Sequence, residues 1–231
     1  GSALLIALPD IMAQLHAGFI TIMWVILGFM LITTALVPVV GRLADMFGRK
    51  RLYNAGFAIF TLGSLLSGLS QPQFQGWDMV FYRMIQGVGG ALLFTNSAAI
   101  VTDAFRKGRV GLGLGINTIA FSAGFLTGPV IGGILTAIDW RLVFLINVPL
   151  GIAGTIWGVL RLREPVSLPE RQRFDWPGSV TFSVGLGALL LSVSLLAFPL
   201  IDVSYVYLLF ALGLGGPRGL LCGGEAGRRA H

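Results

Sequence analysis

Long apolar stretches separated by short polar turns constrain this chain more than any other feature of its sequence. Residues 19–40, for example, include no charged side chain. A transmembrane helix needs roughly 20 consecutive apolar residues. Only 11% of the 231 residues are charged, against about 25% in soluble domains, so a soluble fold would lack the charge to cover its surface. The sequence therefore predicts an all-α polytopic membrane protein.

The apolar spacing predicts seven helices and the beginning of an eighth. Their predicted bounds are residues 3–15, 19–40, 52–69, 77–101, 110–137, 142–160, 177–198 and 203–213. No basic segment precedes the first apolar run, which is unlike a signal peptide, and we expect the first helix to be entered partway along.

The polar segments divide the predicted helices into units. We expect a six-helix unit over residues 1–162, a cytoplasmic linker over 163–176, and further membrane helices, the seventh and a partial eighth, over 177–214. Residues 215–231 are rich in glycine and arginine and do not complete the eighth helix. We interpret them as an aberrant or artificial tail.

The basic residues lie almost entirely on one side of the predicted membrane. The turns that lead from an odd-numbered helix to the next hold a single arginine, Arg141. The opposite turns hold Arg42, Arg49, Lys50, Arg51, Arg106, Lys107, Arg109, Arg161, Arg163, Arg171 and Arg173. The positive-inside rule therefore predicts that the even-to-odd turns are cytoplasmic in a multi-pass protein of the cell membrane.

The same composition argues against several other classes of protein. Membrane orientation explains the net charge of +6 better than nucleic-acid binding does. Cys222 is the single cysteine, and His16 and His231 are too few and too far apart to suggest a metal site. No phosphate-binding loop and no plausible serine–histidine–acid set is present. We expect neither an enzyme nor a bound cofactor.

The turn after the second predicted helix has a distinctive pattern over residues 41–52, Gly-Arg-Leu-Ala-Asp-Met-Phe-Gly-Arg-Lys-Arg-Leu. Gly41 would let two helix ends approach closely, Asp45 could cap a helix or pair with a base, and Gly48 permits a tight turn. Arg49 and Lys50 would anchor the turn at the anionic inner leaflet. A generic basic turn remains the alternative interpretation.

This pattern resembles the cytoplasmic signature of the major facilitator superfamily, glycine-x-leucine-x-aspartate-x-x-glycine-arginine-lysine. The resemblance implies a major facilitator-type helical bundle, of which this chain would supply the amino-terminal six-helix half plus one or two further helices. It also implies a conformational latch in which Asp45 holds the two halves of the transporter together in one state.

The fourth predicted helix contains an arginine, Arg83, with Gln86, Gly87 and Gly90 on the same helix face. An arginine in a membrane span costs about 2.5–3.5 kcal/mol on insertion scales, which favours a polar partner or a watery cavity. Snorkelling to the interface is the alternative. The stretch resembles the second superfamily motif, arginine-x-x-glutamine-glycine, and the resemblance implies that Arg83 takes part in proton coupling.

The fifth predicted helix carries glycine at every fourth position, which gives a smooth stripe for close helix packing, and a proline that would kink the helix. The pattern resembles the motif of the exporting, proton-antiporting members of the superfamily. Ordinary glycine-mediated packing is the alternative. The motif residues are Gly124, Gly128, Pro129, Gly132 and Gly133.

Three further segments, at residues 7–9, 140–149 and 174–176, are similar to the 14-helix drug:proton antiporter family. The resemblance implies proton-coupled efflux of small amphipathic compounds, with the bilayer, a small-molecule substrate, protons and a missing carboxy-terminal half as partners, and a fragment inactive alone. Candidate cavity residues are Gln86, Asn96 and Asn117. The alternatives are a transporter of one specific solute or metabolite, and a non-transporting receptor or scaffold on the same fold.

Overall fold

The computed structural model describes residues 2–105, 109–162, 176–197, 200 and 202–213. Its helices are α1 (Ser2–Gln14), α2 (Phe19–Phe47), α3 (Arg49–Gly68), α4 (Trp77–Ala104), α5 (Val110–Thr136), α6 (Leu142–Arg161), α7 (Trp176–Ala197) and α8 (Val203–Gly213). Helix α6 is interrupted once, at Ile146. A short 3-10 turn, Pro72–Phe74, lies between α3 and α4.

The described residues are helical throughout apart from short connections, with no strand among them, which confirms the predicted all-α membrane fold. Residues 163–175 of the expected 163–176 linker and the whole expected tail from 215 to 231 lie outside the described residues, whereas residue 176 begins α7. So do the basic residues Arg106, Lys107, Arg163, Arg171 and Arg173.

Within the described residues, five helices are long and apolar enough to cross a membrane: α2, α4, α5, α6 and the Gly178–Ala197 part of α7. Helices α1 and α8 are shorter. Helix α3, which we predicted as a span, is not among the five because Arg49, Lys50 and Arg51 open it and small polar side chains follow.

The turn between α2 and α3 is much tighter than the sequence indicated. We predicted a turn over residues 41–51, but α2 continues to Phe47 and α3 begins at Arg49. The prediction of a long turn is therefore wrong, and a single glycine makes the reversal. Gly48 has a φ of 94°, which a residue with a Cβ rarely adopts.

Glycines set the contact between α3 and α4. A methyl group added at Gly63 would lie 2.6 Å from the Gln86 backbone nitrogen. One added at Gly56 would lie 2.8 Å from the Leu92 Cβ, and one at Gly89 would meet the Phe60 backbone nitrogen. The two backbones therefore approach more closely than any larger residue at these positions would permit.

Helices α5 and α6 turn large apolar side chains away from the rest of the described structure. Phe125, Leu126, Trp157 and Leu160 are each between 64% and 74% exposed. Apolar surface on this scale belongs against lipid or another protein surface and not against water. This pattern agrees with a helical bundle embedded in a bilayer.

Alternate turns of the chain meet at opposite ends of the bundle. At one end, the Lys50 Nζ donates to the Val159 carbonyl at 3.0 Å, which joins the start of α3 to the end of α6. At the other end, the Trp140 Nε1 donates to the Gln14 Oε1 at 3.0 Å, and the Arg141 Nη2 donates to the Ser70 carbonyl at 3.3 Å. We call these the charged end and the tryptophan end.

Candidate functional site

The Arg83 guanidinium lies inside the bundle, and Arg83 stands less than two turns from the start of α4 at Trp77. The residue is 6% exposed, so it does not snorkel to the interface. Its Nε donates to the Val25 carbonyl of α2 at 3.3 Å, and its Nη1 donates to the Gln86 Oε1 one turn along α4. The guanidinium carbon also lies 4.3 Å from the centre of the Phe29 ring, a cation–π contact.

A third helix joins this network through Ser64 of α3. The Gln86 Nε2 donates to the Ser64 Oγ, and both residues are almost completely buried. Because an arginine can only donate, the Gln86 amide must turn its oxygen toward Arg83 and its nitrogen toward Ser64. We call Arg83, Gln86 and Ser64 the arginine network.

The charge of Arg83 has no opposite charge beside it among the described residues. Its contacts are a backbone carbonyl, an amide, and an aromatic ring. A buried cation without a carboxylate is costly to hold in a protein interior and is a mark of functional sites in membranes.

Two glycines bring α4 close to α2 beside the arginine network. A methyl group at Gly87 would lie 2.8 Å from the Phe29 carbonyl oxygen, and one at Gly90 would lie 3.2 Å from the Phe29 ring. The Thr33 Oγ1 donates to the Gly87 carbonyl at 3.1 Å. This close contact holds the Phe29 ring over Arg83.

The charged end is built around Arg49. Its Nη1 lies 2.7 Å from the Asp103 Oδ2, at the end of α4, and its Nη2 lies 3.3 Å from the Asp45 Oδ1, in the last turn of α2. All three side chains are between 32% and 52% exposed. Exposed pairs of this kind contribute at most about 1 kcal/mol, so these contacts can break at little cost.

The close approach that we predicted at Gly41 is wrong for this structure. A methyl group there would meet only the Thr95 Cγ2, at 3.7 Å, an ordinary contact. Gly41 instead lines a cleft of about 370 Å³ between α2 and α4 at the charged end, together with Pro38, Arg42 and Asn96.

The three predicted cavity residues do not meet at one site. Gln86 belongs to the arginine network. Asn96 is fully buried beside the cleft, its Nδ2 donates to the Leu92 carbonyl at 2.7 Å, and its Oδ1 has no partner among the described residues. Asn117 of α5 accepts a hydrogen bond from the Ser97 Oγ at 3.1 Å.

Part of the predicted glycine stripe of α5 packs against α1. A methyl group at Gly128 would meet the Ser2 Oγ, and one at Gly132 would lie 2.6 Å from the Ala3 carbonyl oxygen. Gly124 has nothing within 4 Å, and a methyl group at Gly133 would touch only Ile6, at 3.9 Å. Helix α5 remains one continuous helix through Pro129.

Sequence reasoning missed three residues of these two sites, Ser64, Phe29 and Asp103. Ser64 directly follows Gly63, and this glycine was the available signal, because a small residue seven positions after Gly56 marks a face for close helix contact. Phe29 and Asp103 carry no comparable signal in the sequence.

Comparison with known proteins gives a consistent family assignment. The family model described as Major Facilitator Superfamily matches residues 1–221. The chain is 36% identical to the riboflavin transporter RibZ of Clostridioides difficile over 84% of this chain and 42% of that protein. It is 33% identical to multidrug resistance protein 3 of Bacillus subtilis, over 82% of this chain and 36% of that protein.

A third relative is the cephamycin export protein CmcT of Amycolatopsis lactamdurans, 35% identical over 84% of this chain and 40% of that protein. The chain thus spans about two fifths of the length of the curated relatives that it matches. All three carry names of transporters or exporters, and none of the three names denotes an enzyme. On the extent of the family match, this chain belongs to the Major Facilitator Superfamily.

Proposed function

We propose that this chain is part of a secondary transporter that exports small amphipathic compounds in exchange for protons. The observation that carries the proposal is the buried Arg83, a cation held inside an apolar helix by neutral partners. The names of the relatives support export of small molecules, because one is called a multidrug resistance protein and another an export protein.

In this proposal Arg83 is a fixed positive charge that acts on a proton carrier. A cation close to a carboxyl group lowers its pKa, so approach of the carrier to Arg83 would release the proton, and withdrawal would favour its uptake. The central turns of α2 to α7 contain no aspartate, glutamate or histidine. We therefore assign the carrier to a carboxylate elsewhere in the transporter.

Alternating access requires the two ends of the bundle to open in turn around the site. The weak, exposed contacts of Arg49 with Asp45 and Asp103 suit an end that opens and closes. We propose that the charged end faces the cytoplasm of the cell membrane, that Gly48 and Lys50 keep its turn in place, and that a carboxy-terminal half completes the transporter. On this view residues 1–162 form one half, and the chain alone does not transport.

A specific solute is the second candidate, and one observation favours it. A relative at 36% identity is named as a riboflavin transporter, so this branch of the family includes proteins named for a single compound. Such a carrier would recognise one solute through cavity side chains such as Asn96 and Asn117, and would export few others.

Transport by the complete protein in liposomes tests both candidates. We expect an imposed proton gradient to drive accumulation of several unrelated amphipathic dyes, and a protonophore to abolish it. The matched measurement replaces the proton gradient with a potassium gradient of equal size. Dye transport without dependence on the proton gradient would exclude proton-coupled export, and transport of riboflavin alone would establish the specific carrier.

A further inference from the structure

We propose that Ser64 is a positioning residue for proton coupling, acting on Arg83 through Gln86. The role in transport rests on the proposed function. The structural basis is independent of it and lies in which atoms donate and which accept in the arginine network. Ser64 is the only member of that network on α3, and it is fully buried.

The direction of each hydrogen bond gives Ser64 its role. Arg83 occupies the Gln86 Oε1, which leaves the Nε2 of the same amide as a buried donor in need of an acceptor. The Ser64 Oγ is that acceptor. With the hydroxyl present, both ends of the amide are held, and the Gln86 oxygen is fixed in front of the guanidinium.

The contact between α3 and α4 puts Ser64 at the right place. Its neighbour Gly63 lies against the backbone of Gln86, where a methyl group would come within 2.6 Å of the backbone nitrogen. The serine hydroxyl therefore reaches the amide of Gln86 at one of the points where the two helices pack most tightly. A shift of α3 would move the Gln86 amide, and through it the guanidinium on α4.

The described groups that contact Arg83 are uncharged on every helix packed around it. Val25 and Phe29 come from α2, Gln86 is its neighbour on α4, and Ser64 stands behind Gln86 on α3. Since no charged group competes, the position of the guanidinium depends on these hydrogen bonds and on the Phe29 ring.

The chain offers a matched control one turn along the same helix. Ser67 is as fully buried as Ser64, but its Oγ donates to the Gly63 carbonyl within its own helix, at 2.8 Å. Ser67→Ala thus removes the same atom from a similar environment without touching the arginine network.

The first test compares Ser64→Ala and Ser67→Ala in the complete transporter in liposomes, with export measured across a pH series. We expect Ser64→Ala to lower the rate about tenfold, since a buried donor loses its acceptor. We also expect half-maximal export to move upward by about one pH unit, because a loosely held cation lowers the pKa of the carrier less. Ser67→Ala should leave the pH profile unchanged.

The second test does not need transport. A double-mutant cycle on the melting temperature of the complete transporter pairs Ser64→Ala with Arg83→Met, two residues that share Gln86 but no hydrogen bond. We expect non-additive shifts for this pair and additive shifts for Ser67→Ala with Arg83→Met. Additive shifts for Ser64, or a pH profile identical to that of Ser67→Ala, would overturn the proposal.

The two tests also separate this inference from the proposed function. If the unmodified transporter shows no proton-driven export while the Ser64 cycle is non-additive, the proposed function fails and the coupling of Ser64 to Arg83 stands. If export is proton-driven but Ser64→Ala behaves like Ser67→Ala, only the role of Ser64 is lost.

Discussion

Arg83 places a positive charge inside the bundle, and this placement lowers the stability of the folded protein. An arginine costs up to about 2.5–3.5 kcal/mol to insert in a membrane helix, the full cost applying at its centre, and Arg83 lies nearer to the start of α4. Two hydrogen bonds and the Phe29 ring offset part of this cost, but no carboxylate among the described residues does. A residue retained solely for packing would be better replaced by an apolar side chain of similar length.

Arg83→Met is therefore expected to stop proton-driven export without lowering the melting temperature. Removing the charge recovers its insertion cost, while the Gln86 oxygen loses its donor at a cost of about 1–3 kcal/mol, so the net change is near zero or stabilising. Thermal unfolding in detergent and transport in liposomes measure the two effects on the same preparation.

The control for this variant is Arg109→Met, which removes an exposed arginine at the start of α5. The Arg109 charge is exposed and stays hydrated, so its removal recovers no desolvation cost. We expect neither the melting temperature nor the rate of transport to change. A large loss of stability in Arg83→Met would mean that this arginine is a structural residue, and the proposed role in coupling would lose its physical basis.

For the arginine network, the sequence indicated the residues that lie on α4 but not those that the neighbouring helices contribute. The spacing of Arg83, Gln86 and Gly87 on α4 indicated one face because helical periodicity is local. Ser64 and Phe29 reach the same site from α3 and α2. A single amino-acid sequence does not show which residues of one helix face which residues of another. For the same reason the sequence did not show that Asn96 of α4 and Asn117 of α5 lie at different sites.

Glycines allow the backbones of α3 and α4 to pack closely against each other. In a bilayer, lipid is as apolar as leucine, so close backbone packing supplies much of the attraction between helices. Gly56 and Gly63 of α3 face Leu92 and Gln86 of α4, and Gly89 of α4 faces Phe60 of α3. These contacts fix the position of α3 along α4, and this position brings Ser64 within hydrogen-bonding distance of Gln86.

Gly89→Ala is expected to destabilise the protein by about 1–3 kcal/mol. The added methyl group would meet backbone atoms, the Phe60 nitrogen and the Gly56 carbonyl oxygen, and backbone cannot yield as a flexible side chain can. Gly115→Ala on α5 is the matched control, because nothing lies within 4 Å of that position. Thermal unfolding of both variants decides the matter, and equal melting temperatures would show that the α3–α4 contact is looser than described.

Helix existence was easier to predict than helix ends. Continuous apolar stretches indicated α2, α4, α5 and α6 because their length matches a bilayer. The end of α2 was misplaced by seven residues, from residue 40 to Phe47, because its last turns carry the polar residues that also mark a loop. Only the positive φ of Gly48 shows where the chain reverses.

The whole bundle has two different ends, and its topology can be tested without any assumption about transport. The charged end joins the beginning of α3 to the end of α4 through Arg49 and Asp103, whereas the tryptophan end joins α1, α3 and the turn before α6. Helix α3 runs from one end to the other, so we expect a residue before it and a residue after it to lie on opposite sides of the bilayer.

Cysteine labelling of the complete transporter in intact cells measures this directly, after the native Cys222 has been replaced by serine. Arg42→Cys and Gln73→Cys place thiols at exposed positions on the two sides of α3. Since basic turns stay in the cytoplasm, we expect an impermeant maleimide to label Gln73→Cys from outside, and Arg42→Cys only after the cells are permeabilised. Labelling of both positions in intact cells would place the two turns on one side of the membrane. Helix α3 would then not cross the bilayer, and the arginine network could not lie between the two ends of a spanning bundle.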